Sequence, residues 1–204
     1  MKKIIATLLI VVFGVILAGC EDRKINDDTL SVVFYTGLDN AYVKTIYNLQ
    51  KGSKIPKPED PVVTDENGNS ILAFEGWFKD RALDTPWDFD VDTIEKSTTL
   101  YAKWSPVVFT ITYELRGGYF PEGVEARYPK TYTYLSPDII FPTDRASWPV
   151  HDDKSKGLFI GWYTQLDLTP AQLKDKSNYP KFDRIKSKSS GNIVLYAYYL
   201  GDTI

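Results

Sequence analysis

Side chains able to do chemistry are sparse in this 204-residue sequence, and few stand at useful spacings. The densest group is Asp88-Phe89-Asp90-Val91-Asp92, whose alternate carboxylates could converge on a calcium ion. An EF-hand loop begun there would need glycine at its sixth position and glutamate at its twelfth. Thr93 and Thr99 stand at those positions. Phe89 and Val91 alternate with the aspartates, as in an extended segment with one buried face. Asp65-Glu66-Asn67-Gly68-Asn69 has its glycine at the fourth position, where it suits a hairpin turn better than an ion. His151, the only histidine, lies in Val150-His151-Asp152-Asp153, but no G-x-S-x-G elbow supplies a nucleophile for a serine–histidine–aspartate relay. Phosphate-cradling glycine loops and paired-histidine metal motifs are absent, and nothing selects two carboxylates as a glycosidase pair. The expectation is a protein with no catalytic residues, no metal and no cofactor.

Cys20 is the exception. It is the only cysteine and follows Leu17-Ala18-Gly19 at the end of an apolar run, residues 4–17, which a basic Met1-Lys2-Lys3 precedes. Fourteen residues are too few to cross about 30 Å of hydrocarbon comfortably, but they suit the core of a signal peptide. The end of the run resembles a bacterial lipobox. There the small residues admit a signal peptidase and the thiol is the nucleophile that accepts a diacylglycerol. Residues 1–19 are thus read as a lipoprotein signal peptide and Cys20 as the lipid-attachment site. Once Cys20 is acylated, no thiol remains for a disulfide, so an exported chain must rest on its core alone.

Charge narrows the partners further. Losing Lys2 and Lys3 with the leader leaves 22 basic against 27 acidic residues, a net charge of −5 rather than −3. That argues against nucleic acid and against electrostatic adhesion to anionic lipid. Acyl chains on Cys20 are the expected contact with a membrane. Residues 20–30 are polar and aperiodic, and read as a tether reaching at most ~35 Å.

The remaining sequence holds one pattern twice. Phe74-Glu75-Gly76-Trp77-Phe78 returns as Phe159-Ile160-Gly161-Trp162-Tyr163, and each pentapeptide reads as a short strand whose glycine admits a close backbone. Upstream lie Ile55-Pro56-Lys57-Pro58 and Ile140-Phe141-Pro142; downstream lie Pro86-Trp87-Asp88-Phe89-Asp90 and Pro180-Lys181-Phe182-Asp183. Each unit closes on an alternating strand, Thr99-Leu100-Tyr101-Ala102-Lys103-Trp104 or Val194-Leu195-Tyr196-Ala197-Tyr198-Tyr199. Five anchors in one order indicate a tandem duplication. The predicted modules span 31–104 and 108–204, the second more divergent.

The order F-x-G-W-[FY], W-D-F-D, T-L-Y-A-K-W resembles the internalin B-type repeat, also called the Listeria–Bacteroides repeat. The resemblance covers the first module throughout and the second more loosely. It implies a small β-grasp-like module of bacterial surface proteins and carries no catalytic residues with it. The acidic start of the tether, Glu21-Asp22, resembles signals that send lipoproteins of the Bacteroides group to the outer face of the outer membrane.

Local patterns predict strands at 32–36, 42–49, 71–78 and 99–104 in the first module, with turns at 37–40 and 65–69. The proline-rich run 55–61 lacks the donors a central strand needs and reads as an extended connection. In the second module Phe109, Ile111, Tyr113 and Leu115 alternate with polar residues, and Tyr128 to Tyr134 reads as the partner strand. Residues 144–157 read as a polar loop, and Thr169-Pro170 as the start of a short helix. Trp77, Trp162, Phe74 and Phe159 are expected in the cores.

The fold expectation is mostly β: two tandem β-grasp-like modules, with at most a short helix in the second. The function expectation is a non-catalytic, lipid-anchored cell-envelope protein, at the outer membrane with surface exposure left open. Its repeats would mediate protein–protein interaction or adhesion. A glycan-binding accessory lipoprotein and a structural spacer are the alternatives. Tyr119 and Phe120 after a Gly-Gly turn, and Trp148 in a polar loop, are the candidate binding surface, because aromatic rings on loops contribute large contact area at low entropy cost; the alternative for Trp148 is a lid folded back on its own module.

Overall fold

The computed structural model describes residues 29–38 and 42–204. The signal peptide, Cys20, most of the tether and part of the 37–40 turn lie outside the described residues. The chain divides into two compact units, Met1–Ser105 and Pro106–Ile204. Both are built mainly of strands.

The first unit is one five-stranded sheet. Its strands are β1 (Leu30–Tyr35), β2 (Tyr42–Leu49), β3 (Val63–Thr64), β4 (Ser70–Phe78) and β5 (Thr98–Pro106), in the order β2-β1-β5-β4-β3. β1 and β2 form an antiparallel hairpin with Val32 opposite Ile46, whereas β1 and β5 are parallel with Phe34 opposite Leu100. Parallel neighbours need a long crossover. Residues 50–97 supply it, and its two ends are stitched together where Gly52 N–H donates to Ile94 O at 2.8 Å and Ile94 N–H to Ser53 O at 2.9 Å. Ile55 and Ile94, both buried, carry the crossover into the core. The expected 65–69 turn forms: the Asp65 carboxylate accepts the Asn67 and Asn69 N–H groups, and Gly68 has φ +85°.

The second unit repeats that wiring with longer connections. It contains β6 (Val108–Glu114), β7 (Gly118–Tyr119), β8 (Thr131–Thr133), β9 (Ile139–Ile140), β10 (Val150–His151), β11 (Phe159–Tyr163), α1 (Pro170–Lys174), β12 (Arg184–Ile185) and β13 (Ile193–Tyr199). The main sheet runs β11-β13-β6-β8, the order of β4-β5-β1-β2 in the first unit. Again the first and last strands, β6 and β13, are parallel. This β-grasp-like frame is the fold that the duplicated anchors imply. Thr169 caps α1 by accepting from Gln172 N–H, and the Gln172 side chain returns the bond, a full capping box.

Two local expectations change. The partner strand is only Thr131–Thr133, because Tyr128 closes a 3-10 turn and is buried, with its hydroxyl donating to Ser147 O at 2.9 Å. The polar loop 144–157 is structured as well. It holds a 3-10 turn at Arg145–Ser147 and then β10, which pairs with β7 through Val150–Tyr119 and His151–Gly118.

The cores show why the frame recurs. Trp77 and Trp162 are 2% and 3% exposed, and each meets the aromatic of its first strand edge-on: Phe34 to Trp77 at 4.9 Å, Tyr113 to Trp162 at 5.2 Å. Each also meets the first phenylalanine of its pentapeptide, Phe74 at 5.3 Å and Phe159 at 5.1 Å. Burying one such ring removes ~150–250 Å² from water, an upper bound of roughly 4–6 kcal/mol. The closing strands end on a shared hydrogen bond. Trp104 Nε1–H donates to Thr36 O at 2.9 Å, and the Tyr199 hydroxyl donates to Leu115 O at 3.1 Å. Burial pushes the Tyr199 phenol up to about 12, so it stays a donor.

Candidate functional site

The structure separates the three predicted surface aromatics. Tyr119 is 46% exposed on β7, opposite the exposed Val150. Phe120 turns inward, 4.6 Å from the Tyr128 ring and 6.2 Å from Trp162, so its area serves the core. Trp148 is half-buried, folded back edge-on to Phe159 at 5.9 Å, where it walls a recess of about 400 Å³ with Leu158, Ile160 and Leu200. Only Tyr119 remains a freely presented ring.

The side chains that could have done chemistry hold turns instead. The Asp88 carboxylate accepts Asp90 N–H at 2.8 Å. Asp92 accepts Asp88 N–H at 2.8 Å and pairs with Lys79 at 2.7 Å. The Lys79 bond, with the Asp88 amide behind it, holds the Asp92 carboxyl below its ordinary range. Among the described residues no group of three His, Cys, Asp or Glu could hold a metal. His151 Nδ1 accepts Asp153 N–H at 3.0 Å, while the Asp153 carboxylate takes the Ser155 amide and hydroxyl. The imidazole is therefore oriented by a backbone amide and not by a carboxylate, as a relay would need.

The pentapeptide glycines distinguish the units. Gly161 (φ +152°) is approached not by backbone but by the Lys181 stem: a β-carbon there would lie 2.9 Å from Cδ and 3.2 Å from Cγ. Gly76 (φ +132°) has nothing nearer than a Phe78 ring carbon at 4.0 Å. Above it lies an open groove of about 520 Å³ with Phe74, Trp77, Trp87 and Phe89 in its walls. Its lining carries Asp60, Glu75, Asp88 and Asp90 with Lys57, which pairs with Asp60 at 3.0 Å, while Lys103 reaches Glu75 at 3.9 Å and Lys79 lies 5.6 Å from the Trp87 ring. The sequence showed the glycines, but not that one would be covered by a side chain and the other left bare.

The opposite sheet faces differ too. In the first unit Lys103 Nζ lies 5.0 Å from the Phe78 ring. The equivalent Tyr198 and Tyr163 meet at 5.2 Å and anchor the segment carrying α1. Leu168 N–H donates to the Tyr198 hydroxyl at 2.7 Å, which donates to Gln165 O at 3.2 Å. Behind the closing strand, Asp202 accepts from Tyr199 N–H, Lys156 and Arg116. Burial works to raise its carboxyl, yet these three partners outweigh it and hold the group below its ordinary value.

Residues 32–103 match the Listeria-Bacteroides repeat domain model, so the first unit is a repeat of that family. Two proteins of Evansella cellulosilytica are similar over a longer stretch. One, named "Putative membrane protein", is 34% identical over 139 residues, 68% of this chain and 17% of its own length. The other, named "Putative Gly-rich membrane protein", is 30% identical over 138 residues, 68% of this chain and 13% of its own. This chain therefore spans less than a fifth of either relative. Among the described residues no helix is long and apolar enough to cross a membrane.

Proposed function

We propose that this is a non-catalytic, membrane-associated protein of the cell envelope, anchored through lipid on Cys20, whose repeats bind a protein at the cell surface. The groove over Gly76 carries the binding part of the reading. It sets an aromatic wall beside four carboxylates, of which Asp60 and Glu75 pair with Lys57 and Lys103. Such a surface buries rings and selects partners by charge. The leader ending at Cys20 and the printed names of the two relatives support membrane association.

A glycan reading draws on the same rings, since aromatics also stack on sugar faces. Purified protein on arrays of surface proteins and glycans separates the two. Retention on proteins alone supports this reading, binding competed by free sugar replaces it with a glycan receptor, and silence on both leaves a spacer. For the anchor, Cys20→Ser should move the protein from carbonate-washed membranes to the soluble fraction. Unchanged pelleting would contradict lipidation.

A further inference from the structure

We propose that the groove above Gly76 receives a lysine side chain from a partner protein, as the second unit receives its own Lys181. The proposal rests on the protein-binding reading and gives it a chemistry.

Hydrogen-bond register makes the units comparable. Trp87 N–H donates to Trp77 O at 2.8 Å, and Phe182 N–H donates to Trp162 O at 2.8 Å. Pro86 therefore occupies the place of Lys181. In the second unit the lysine stem crosses Gly161 within van der Waals reach, where any β-carbon would collide with it. The pentapeptide glycine is thus a floor for lysine methylenes. In the first unit Pro86 sends nothing over Gly76, and the floor is bare.

What surrounds the bare floor favours a cation over a neutral chain. Trp87 stands where the second unit has Phe182, and Glu75 where it has Ile160. Asp88 and Asp90 add carboxylates to the same groove. A lysine laid over Gly76 would rest its stem on aromatic faces and bring its ammonium among these acids, combining methylene burial, cation–π attraction and ion pairing. The unit with no lysine over its glycine still keeps more carboxylates than cations around it: Lys79 lies 5.6 Å from the Trp87 ring but is paired with Asp92, and Lys103 reaches Glu75 at 3.9 Å. Arginine would carry the charge too, but the occupant visible in the second unit is a lysine.

The test uses ¹⁵N-labelled full-length protein titrated with Nα-acetyl-lysine amide, with Nα-acetyl-norleucine amide as the uncharged control. The lysine probe should shift the Gly76 amide and the Trp87 indole signals with a dissociation constant of roughly millimolar order, since one side chain offers few contacts. The control should bind at least about fivefold more weakly. Glu75→Gln with Asp90→Asn should weaken the lysine probe roughly five- to tenfold without lowering Tm, and added salt should do the same. Pro86→Lys should abolish the response by filling the groove in cis. Equal binding of both probes, no shift at Gly76, or stronger shifts from a disaccharide would overturn the proposal. Because the titration needs neither membrane nor partner, its failure is distinguishable from failure of the protein-binding reading, which the arrays test.

Discussion

The two units solve one packing problem with different residues. Where the first has Phe34, Phe74, Trp77 and Trp104, the second has Tyr113, Phe159, Trp162 and Tyr199, with ring separations that agree within an ångström. Replacing Trp104 by Tyr199 even keeps the hydrogen bond to the same strand-end carbonyl. The surfaces diverge instead. The second unit covers one sheet face with the α1 segment and fills its glycine floor with Lys181, whereas the first leaves both more open. The lesson is that the frame is fixed by its aromatic contacts, while occupancy of its two faces is free to vary.

The largest effects should be shared by both units. Trp77→Ala and Trp162→Ala should each cost about 3–5 kcal/mol, enough to unfold a unit of this size. Urea melts followed by unit-specific NMR signals would check this. Costs differing by more than about 2 kcal/mol would break the claim of a common frame.

Next come effects confined to the second unit. Asp202→Asn should cost about 1–3 kcal/mol, because Lys156 and Arg116 lose their shared anion. The Asp202 carboxyl is held below its ordinary value of 3.8, so its contribution is complete above that pH and is lost as pH falls through the depressed value. Thermal melts between pH 5 and 2 should therefore show a shallower acid slope in the variant. Tyr198→Phe should cost about 1 kcal/mol by removing the bonds to Leu168 and Gln165. Limited proteolysis should then cut near α1 before the main sheet opens.

Much of this was legible in the sequence because it is periodic or local. The alternation of Phe109, Ile111 and Tyr113 set β6, the Asn67-Gly68 turn set the β3–β4 hairpin, and Thr169-Pro170 set α1. The five anchors carried the duplicated frame. What stayed hidden depends on distant partners. Phe120 looked like a turn-tip aromatic because nothing local shows Tyr128 beneath it. β10 read as loop because a two-residue ladder has no period, and only β7 makes it a strand. The groove was invisible for the same reason: Pro86 and Lys181 differ in reach, but their equivalence appears only through bonds to Trp77 and Trp162.

The smallest effect sharpens the comparison most. Lys181→Ala should change stability by less than about 1 kcal/mol, since an exposed lysine contributes mainly stem contacts. It should leave Gly161 without a side chain across it, as Gly76 is now, visible as faster hydrogen exchange at the Gly161 amide.

The most direct test of the shared floor places lysine in the first unit. In Pro86→Lys, side-chain methylenes of the introduced residue should show nuclear Overhauser contacts to the Gly76 α-protons, matching those from Lys181 to Gly161. Introduced methylenes with random-coil shifts and no contact to Gly76, in a protein that still melts as the wild type does, would show that the two glycines are not equivalent floors.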